Sequence, residues 1–425
     1  MKRRNFTKCT AGTAALSALS KTSIAQQATG ANEKIVVAAM GMGGRGTQLA
    51  TGFESLDNVE VKAVFDVDKT RAEGAAASVG NVNNRTIESG QDFRKILEDK
   101  DVDVLVIASS NHWHAPAAVM AAAAGKHVYV EKPCSHNPRE GELMVAAARK
   151  YDRRIQHGTQ RRSRPSVVEG LARLKEGAIG RVYYAKCYYR GKRPSLGTGK
   201  ETPPPDYLDY ELWQGPAPRR PYLDNRIHYN WHWHWHWGNG ELGNNGVHHV
   251  DIARAGLEVD YPIQVASSGG RYRYPDDDQQ TPDTQDAIFK FEGGKSIAWE
   301  ALSCHPQWPG KKNDLWFYGT EGSAAFTGTS YQIFDLDGKS IGDGKKHGGE
   351  KEHLVNFVDS IRNDTPLNAE IEEGHKSTVL CHLGNIAYRT GRTLSCDPTN
   401  GKIINDPEAA KFWTRDYEQG WEIAL

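Results

Sequence analysis

Residues 34–46 read KIVVAAMGMGGRG, and residues 61–66 read VKAVFD. The first stretch opens with a short apolar run, 34–40, rich in β-branched side chains, which predicts a buried strand. Gly41, Gly43 and Gly46 follow in G-x-G-x-x-G spacing, and a helical segment with Leu49 and Phe53 comes next. Glycine at these positions allows a tight turn and close backbone approach, while the helix start offers free N–H groups to a pyrophosphate. A second predicted strand, 61–65, ends at Asp66, 20 residues beyond Gly46. A dinucleotide fold places there the acid that holds the ribose hydroxyls. A carboxylate at this point favours NAD, because it repels a 2′-phosphate, but Arg71 stands close enough to leave NADP open. The competing reading is a glycine turn in an unrelated α/β protein, with Asp66 as a helix cap.

The rhythm continues outward from this unit. Residues 92–98 look helical, 102–108 (VDVLVIA) form a strand, 115–124 an alanine-rich helix, and 127–130 a strand. A helix over 138–150 and a strand over 154–157 complete the half. Strands alternating with helices imply a doubly wound parallel sheet. Beyond residue 260 the pattern changes. Predicted strands at 262–267, 284–291, 296–302 and 314–318 are joined by short glycine turns with no intervening helices, so this sheet is mainly antiparallel. Two helices follow, at about 351–363 and 373–391. The expected architecture is an α/β Rossmann domain over 26–157 and an α+β domain over 158–425 with a large open sheet.

Length and composition bound the rest. A chain of 425 residues is too long for one ordinary core. Lys plus Arg and Asp plus Glu both number 53, which argues against a nucleic-acid partner. A hydrophobic fraction of 38% and a charged fraction of 25% exclude wholesale disorder. No apolar run is long enough to span a membrane. The six cysteines show no CxxC spacing, so neither a zinc ribbon nor a disulfide scaffold is indicated.

Residues 1–25 read as a segment outside the fold. A basic start (Lys2, Arg3, Arg4), a mildly apolar stretch and a small-residue end at Ser23-Ile24-Ala25 have the layout of a cleaved export signal. The arginine pair, followed two residues on by Phe6, resembles a twin-arginine signal, which places the mature chain in the periplasm. Its removal also takes Cys9 and leaves five cysteines, so at least one thiol is free or pairs between molecules. The alternative is a disordered basic tail.

Past the strand at 127–130 the chain reads Glu131-Lys132-Pro133, and Asn111-His112-Trp113-His114 precede it. A third motif, GELGNNGVHHVD, runs over 240–251. Together with GMGGRG these resemble the Gfo/Idh/MocA oxidoreductase family over nearly all of the chain after the signal. The resemblance implies that the dinucleotide is held by the loop Gly41, Met42, Gly43, Gly44, Arg45 and Gly46, by Asp66, and by Ser109, Asn111, His114, Glu131 and Lys132. It implies that Lys132 stands between nicotinamide and substrate hydroxyl, and that His248 is the acid/base. A histidine titrates near neutral pH, as such a base should, and an ammonium stabilises a developing alkoxide. The family motif has an aspartate four residues before the histidine; here the position holds Asn244, which can orient His248 but cannot stabilise an imidazolium by charge. Residues 244 and 248 share a face if the segment is helical. His248 then works with Lys132 alone or with another group such as His249. The competing reading for His248 is a core histidine.

Residues 207–237 hold nine aromatic residues, and Trp231, Trp233, Trp235 and Trp237 alternate with His232, His234 and His236. As a strand, the stretch would put histidines on one side and tryptophans on the other. Three readings compete: a packed loop, a sugar platform that uses Trp231 and His232, and a metal site. No acid or cysteine at ligand spacing accompanies the histidines, and no metal is expected. Trp213-Gln214-Gly215-Pro216-Ala217-Pro218 reads as a turn resembling one in exported family members. Arg161 and Arg162 reach substrate or cofactor phosphates, or form surface salt bridges.

The resemblance implies an oxidoreductase moving hydride between a sugar or glycoside carbinol and a retained NAD(P). It also implies a homodimer or homotetramer through the open sheet. A redox-neutral hydrolase or lyase of the same fold, working by transient oxidation and elimination, is the nearest rival. A sugar sensor with NAD as a structural part is the non-enzyme reading.

Overall fold

In the first half the four inner strands are almost wholly buried, as strands covered by helices on both faces must be. The computed structural model describes residues 34–306 and 314–425, and Ile35–Leu425 form one unit. The export segment proposed for residues 1–25 lies outside the described residues.

The first sheet contains β1 (Ile35–Met40), β2 (Val59–Phe65), β3 (Glu88–Gly90), β4 (Val104–Ile107), β5 (His127–Val130) and β6 (Ile155–His157). Their order is β3-β2-β1-β4-β5-β6, every pair parallel. Helices α1 (Gly44–Glu54), α2 (Lys69–Asn83), α3 (Asn111–Ala123) and α4 (Pro138–Lys150) make the crossovers. The expected helix at 92–98 is instead a short 3-10 turn, Phe93–Ile96, capped by Asp92. In this strand order the direction of winding reverses between β1 and β4, where Met40 pairs with Ile107. Ligands of doubly wound sheets bind at such a switch point, beyond the carboxyl ends of the strands. The glycine loop, Asp66, Ser109 and Glu131-Lys132 all emerge at that edge.

Helix α5 (Pro165–Lys175) leads into a mixed, mostly antiparallel sheet of ten strands. Strands β7 (Val182–Arg190), β8 (Gln264–Gly270), β9 (Thr284–Phe291), β10 (Lys295–Leu302) and β11 (Leu315–Gly319) form its centre. The outer strands are β12 (Gly322–Phe326), β13 (Ser330–Asp335), β14 (Ser340–Lys345), β15 (Leu394–Cys396) and β16 (Ile403–Ile404). One pair, β7 with β10, is parallel. Strand β9 alternates buried and exposed residues, as a sheet with one covered face requires. Phe289, Ile297, Trp299 and Phe317 pack under α7 (Val247–Leu257) and α9 (Ile371–Thr390), which bring Val250, Leu380 and Leu383 to the same core. The short helix α6 (Tyr210–Gln214) lies in the long β7–β8 connection, and α8 (Glu350–Asn363) packs Leu354 and Phe357 onto the parallel sheet. The five cysteines among the described residues are all free.

Candidate active site

The two halves of the glycine motif do different work. A Cβ on Gly41 (φ 82°) would lie 2.6 Å from the backbone of Ala108 and Ser109, and one on Gly46 would run into the Gly41 carbonyl oxygen. These glycines let β1, β4 and α1 close on one another. A Cβ on Gly44 would meet nothing within 4 Å, and one on Gly43 only the Arg71 guanidinium at 3.4 Å. Gly43 offers no capping side chain to α1 and no acid stands in its first turn, so the helix start is left for an anion.

This cradle forms one end of a cavity of about 530 Å³. Gly41, Gly43, Gly44, Arg45 and Asp66 line it, as do Ser109, Asn111, His114, Glu131 and Lys132. Two residues expected at the dinucleotide stand back from it. Gly46 is buried within the turn, and the Met42 side chain packs into the core beneath, leaving its N–H as the contribution. That N–H donates to Asp66 Oδ2 at 2.6 Å, and the Asp68 N–H donates to Oδ1 at 2.9 Å. Burial pushes the Asp66 carboxyl up to about 6, against those two N–H donors and Arg71. Arg71 and His228 also line this end.

Past β5, Glu131 accepts from Arg45 Nε at 2.7 Å, and Arg45 Nη1 meets Glu350 at 2.8 Å. Burial alone would raise Glu131, but Arg45 and Lys132 outweigh it and hold the carboxyl below its ordinary value. The His114 ring lies between the carbonyls of Ser109 (2.9 Å) and Pro133 (2.6 Å), tying two walls together. The open floor at Gly43 and Gly44 and the bare helix start fit a bound dinucleotide.

Lys132 follows Glu131 along the same lining. Its Nζ donates to the Asn244 carbonyl at 2.9 Å and to Asn244 Oδ1 at 3.1 Å. Burial lowers its pKa, and Glu131 and Glu241 only partly restore it. Asn244 does not orient His248, contrary to the sequence-based expectation. The segment Leu242–Gly246 is a π-helical turn ahead of α7, and the wider i→i+5 turn breaks the i,i+4 alignment of residues 244 and 248. The Asn244 amide instead spans Lys132 and Glu241, whose Oε1 lies 3.4 Å from Nδ2. His248 is not among the residues lining the cavity. Its Nδ1 is buried without a partner among the described residues, and burial, with Lys132 and Arg161 nearby, drives it well below the usual histidine range. It is a neutral imidazole at neutral pH. His249 lies against Trp299 and bonds the Asn245 carbonyl.

The aromatic stretch is not a strand. A 3-10 turn, Asn230–Trp233, sends its side chains different ways. Trp231 and His232 stack at 3.6 Å and line the cavity beside Tyr229, Lys132 and Asn244. Burial takes His232 down to about 3 despite its bond to the Tyr229 carbonyl, and Lys132 and Arg193 lower it further. Trp233 and Trp237 are buried, His234 is buried, and His236 bonds the Pro218 carbonyl. Among the described residues no group of three His, Cys, Asp or Glu side chains could hold a metal, so the three histidines do not form the metal site that alternation allowed. The Trp213–Pro218 turn is a packing device: Trp213 stacks on Tyr210, and a Cβ on Gly215 would run into Trp113.

Arg161 also stands outside the cavity lining. Burial lowers its pKa to about 10, with Asp314 opposing. Arg162 reaches the half-exposed Glu373 at 3.5 Å. It bonds buried Asp251 at 2.8 Å, tying the end of the first half to α7. Sequence reasoning missed Glu241, Arg193 and Tyr229. The carboxylate of Glu241 stood three residues before Asn244, a signal in plain view.

A family model described as an oxidoreductase family, NAD-binding Rossmann fold, matches residues 35–159, and one described as its C-terminal alpha/beta domain matches 181–423. The chain belongs to the Gfo/Idh/MocA oxidoreductase family. Family relatives include levoglucosan dehydrogenase of Pseudarthrobacter phenanthrenivorans, 29% identical over 62% of this chain and 64% of that protein. A glycosyl hydrolase family 109 protein of Shewanella putrefaciens is 27% identical over 35% of this chain and 34% of its own length. The chain thus matches less than two thirds of the length of these curated relatives. Its fold is that of a levoglucosan dehydrogenase solved with NADH and levoglucosan, with a TM-score of 0.66 at 19% identity over 85% of this chain and 99% of the other. The aldose-aldose oxidoreductase of Caulobacter crescentus, solved with glycerol, gives 0.65 at 20% identity over 85% and 99%.

Proposed function

We propose that the protein transfers hydride between a sugar or glycoside ring carbinol and a tightly held NAD(P). The observation that carries this reading is one cavity with a nucleotide cradle at one end, a Trp231–His232 stack at the other, and Lys132 between them. The dinucleotide, when bound, supplies the hydride acceptor. The glycine loop and α1 hold its phosphates, and Asp66 takes its ribose hydroxyls. Lys132 binds the substrate hydroxyl and stabilises the oxygen as its proton leaves. His248 is uncharged but lies outside the cavity lining, so that proton reaches it through water. The indole face of Trp231 takes the C–H face of the ring, and His232 bonds a hydroxyl. Levoglucosan as the substrate of one relative supports a cyclic sugar.

A second reading is redox-neutral glycoside cleavage by transient oxidation and elimination. The match to the glycosyl hydrolase family 109 proteins favours it. Lys132 has the same place in both.

The first 25 residues are proposed as a twin-arginine signal for periplasmic export, and 26–157 and 158–425 as the two domains. No helix among the described residues is long and apolar enough to cross a membrane. The open sheet face exposes Ile288 and carries a Trp316–Tyr318 stack, and is proposed to join copies in a homodimer or homotetramer. Denaturing the purified protein and weighing the released nucleotide tests the central reading. Stoichiometric NAD(H) or NADP(H), whose absorbance near 340 nm then changes with added sugars, is expected. Protein that emerges empty and binds nucleotide weakly overturns cofactor retention. Glycoside cleavage without net absorbance change selects the second reading.

A further inference from the structure

The Lys132 ammonium is held by two uncharged oxygens of one residue, Asn244, and neither fixes its charge state. A side-chain amide can present either its oxygen or its NH2 group, and only the oxygen suits an ammonium. Something must decide which end faces Lys132. Glu241 is 2% exposed and immediately precedes the π-helical turn. An ionised carboxylate accepts and cannot donate. Its Oε1 takes Asn244 Nδ2 at 3.4 Å and the Asn245 side-chain amide, so the Asn244 oxygen must turn the other way, to Lys132. On its far side Glu241 is paired with Arg193, Oε2 to Nε at 3.2 Å. Arg193 in turn donates to the Tyr229 hydroxyl at 2.9 Å and lies 5.0 Å from the Trp233 ring centre. Tyr229 lines the cavity. A buried carboxylate thus joins the wall of the cavity to its lysine.

We propose that Glu241 is the positioning residue of this site: through Asn244 it orients and electrostatically supports the Lys132 ammonium, with Arg193 as its counter-charge. The charged groups acting on Lys132 are Glu131, Glu241, Arg45 and Arg193, and the first two favour the ammonium while the others oppose it. The imidazoles of His114, His232 and His248 also face it, and burial keeps them neutral. Glu131 is committed to Arg45, so Glu241 is the carboxylate reached through the amide. The proposal rests on the assignment of Lys132 to the reacting end of the cavity, but its test does not require turnover.

The experiment is competitive acetylation of the purified full chain with acetic anhydride across pH, with Lys132 followed by peptide mass spectrometry and the exposed Lys402 as internal reference. Glu241→Gln removes a negative charge, and the amine fraction of Lys132 rises. Its acetylation at pH 7 should be roughly threefold to tenfold faster than in the parent, with an unchanged plateau at high pH. Arg193→Gln removes a positive charge and should shift the profile the opposite way by a similar factor. If Glu241→Gln does not fold, Arg193→Gln still reads the coupling. Profiles of both variants lying within twofold of the parent overturn the proposal. So does a change confined to the plateau, which reports access and therefore only a packing role.

Discussion

The nucleotide cradle and the aromatic wall meet in one cavity, yet they are built in opposite ways. The cradle is a local device: Gly41, Gly43, Gly44 and Gly46 fall within six residues, and each glycine's purpose follows from the turn itself. The wall is assembled from a distance. Trp231 and His232 come from the β7–β8 connection, Lys132 from the end of β5, and Asn244 from the turn before α7. Alternation of residue types in sequence does not by itself assign a face. The four tryptophans of WHWHWHW share a parity but not a fate. Trp231 borders the cavity, whereas Trp237 is fully buried under Trp213 and Arg226.

Truncating the two tryptophans separately distinguishes core from wall. Trp237→Ala leaves a large cavity and should lose about 3–5 kcal/mol of stability, read by denaturant unfolding. If it instead changed only substrate affinity, the division of the stretch into core and wall would fail. At the junction, Lys132→Ala should lower turnover roughly 100- to 1,000-fold while the protein keeps its nucleotide, read by steady-state rates beside mass analysis of bound cofactor.

Within the cradle, Asp66 gives a pH signature. Its carboxyl is raised from the usual 3.8 to about 6 by burial, so the folded state holds a proton that the unfolded chain releases. The sign follows: unliganded stability falls as pH rises from about 4 to about 6, by on the order of 3 kcal/mol, and Asp66→Asn removes that slope. Nucleotide affinity should move the other way, rising through about pH 6 as the carboxylate that accepts ribose hydroxyls ionises. Stability and affinity that were both flat over this range would show that Asp66 is not the ribose acid. The smallest expected effect is at the wall. Trp231→Ala should raise KM about tenfold with kcat little changed, because one ring-face contact is worth about 1–2 kcal/mol. Equal losses in kcat and kcat/KM would mean that the indole acts on the reacting geometry.

Much of the fold was legible. The apolar runs at β1, β2, β4 and β5 and the glycine spacing implied a doubly wound sheet, because strands buried on both faces leave continuous apolar sequence. Short antiparallel strands with glycine turns implied the second sheet. Strand β7 escaped notice: VYYAKCYYR lies with polar and aromatic residues toward the open face, and its parallel partner β10 is more than a hundred residues away. Of the site, the residues at strand ends were readable, since their place follows from the strand. The Asn244–His248 pairing was misread because a π-helical turn leaves no mark in hydrophobic periodicity.

By itself the sequence determined the cradle, the acid at its edge and the lysine after β5, since each is fixed by the few residues around it. Only the tertiary structure decided which of the alternating aromatics face the cavity, that Asn244 serves Lys132 rather than His248, and that Glu241 stands behind both. Those choices depend on which surfaces the rest of the chain covers and on which buried polar groups are left to pair, and no local pattern records either.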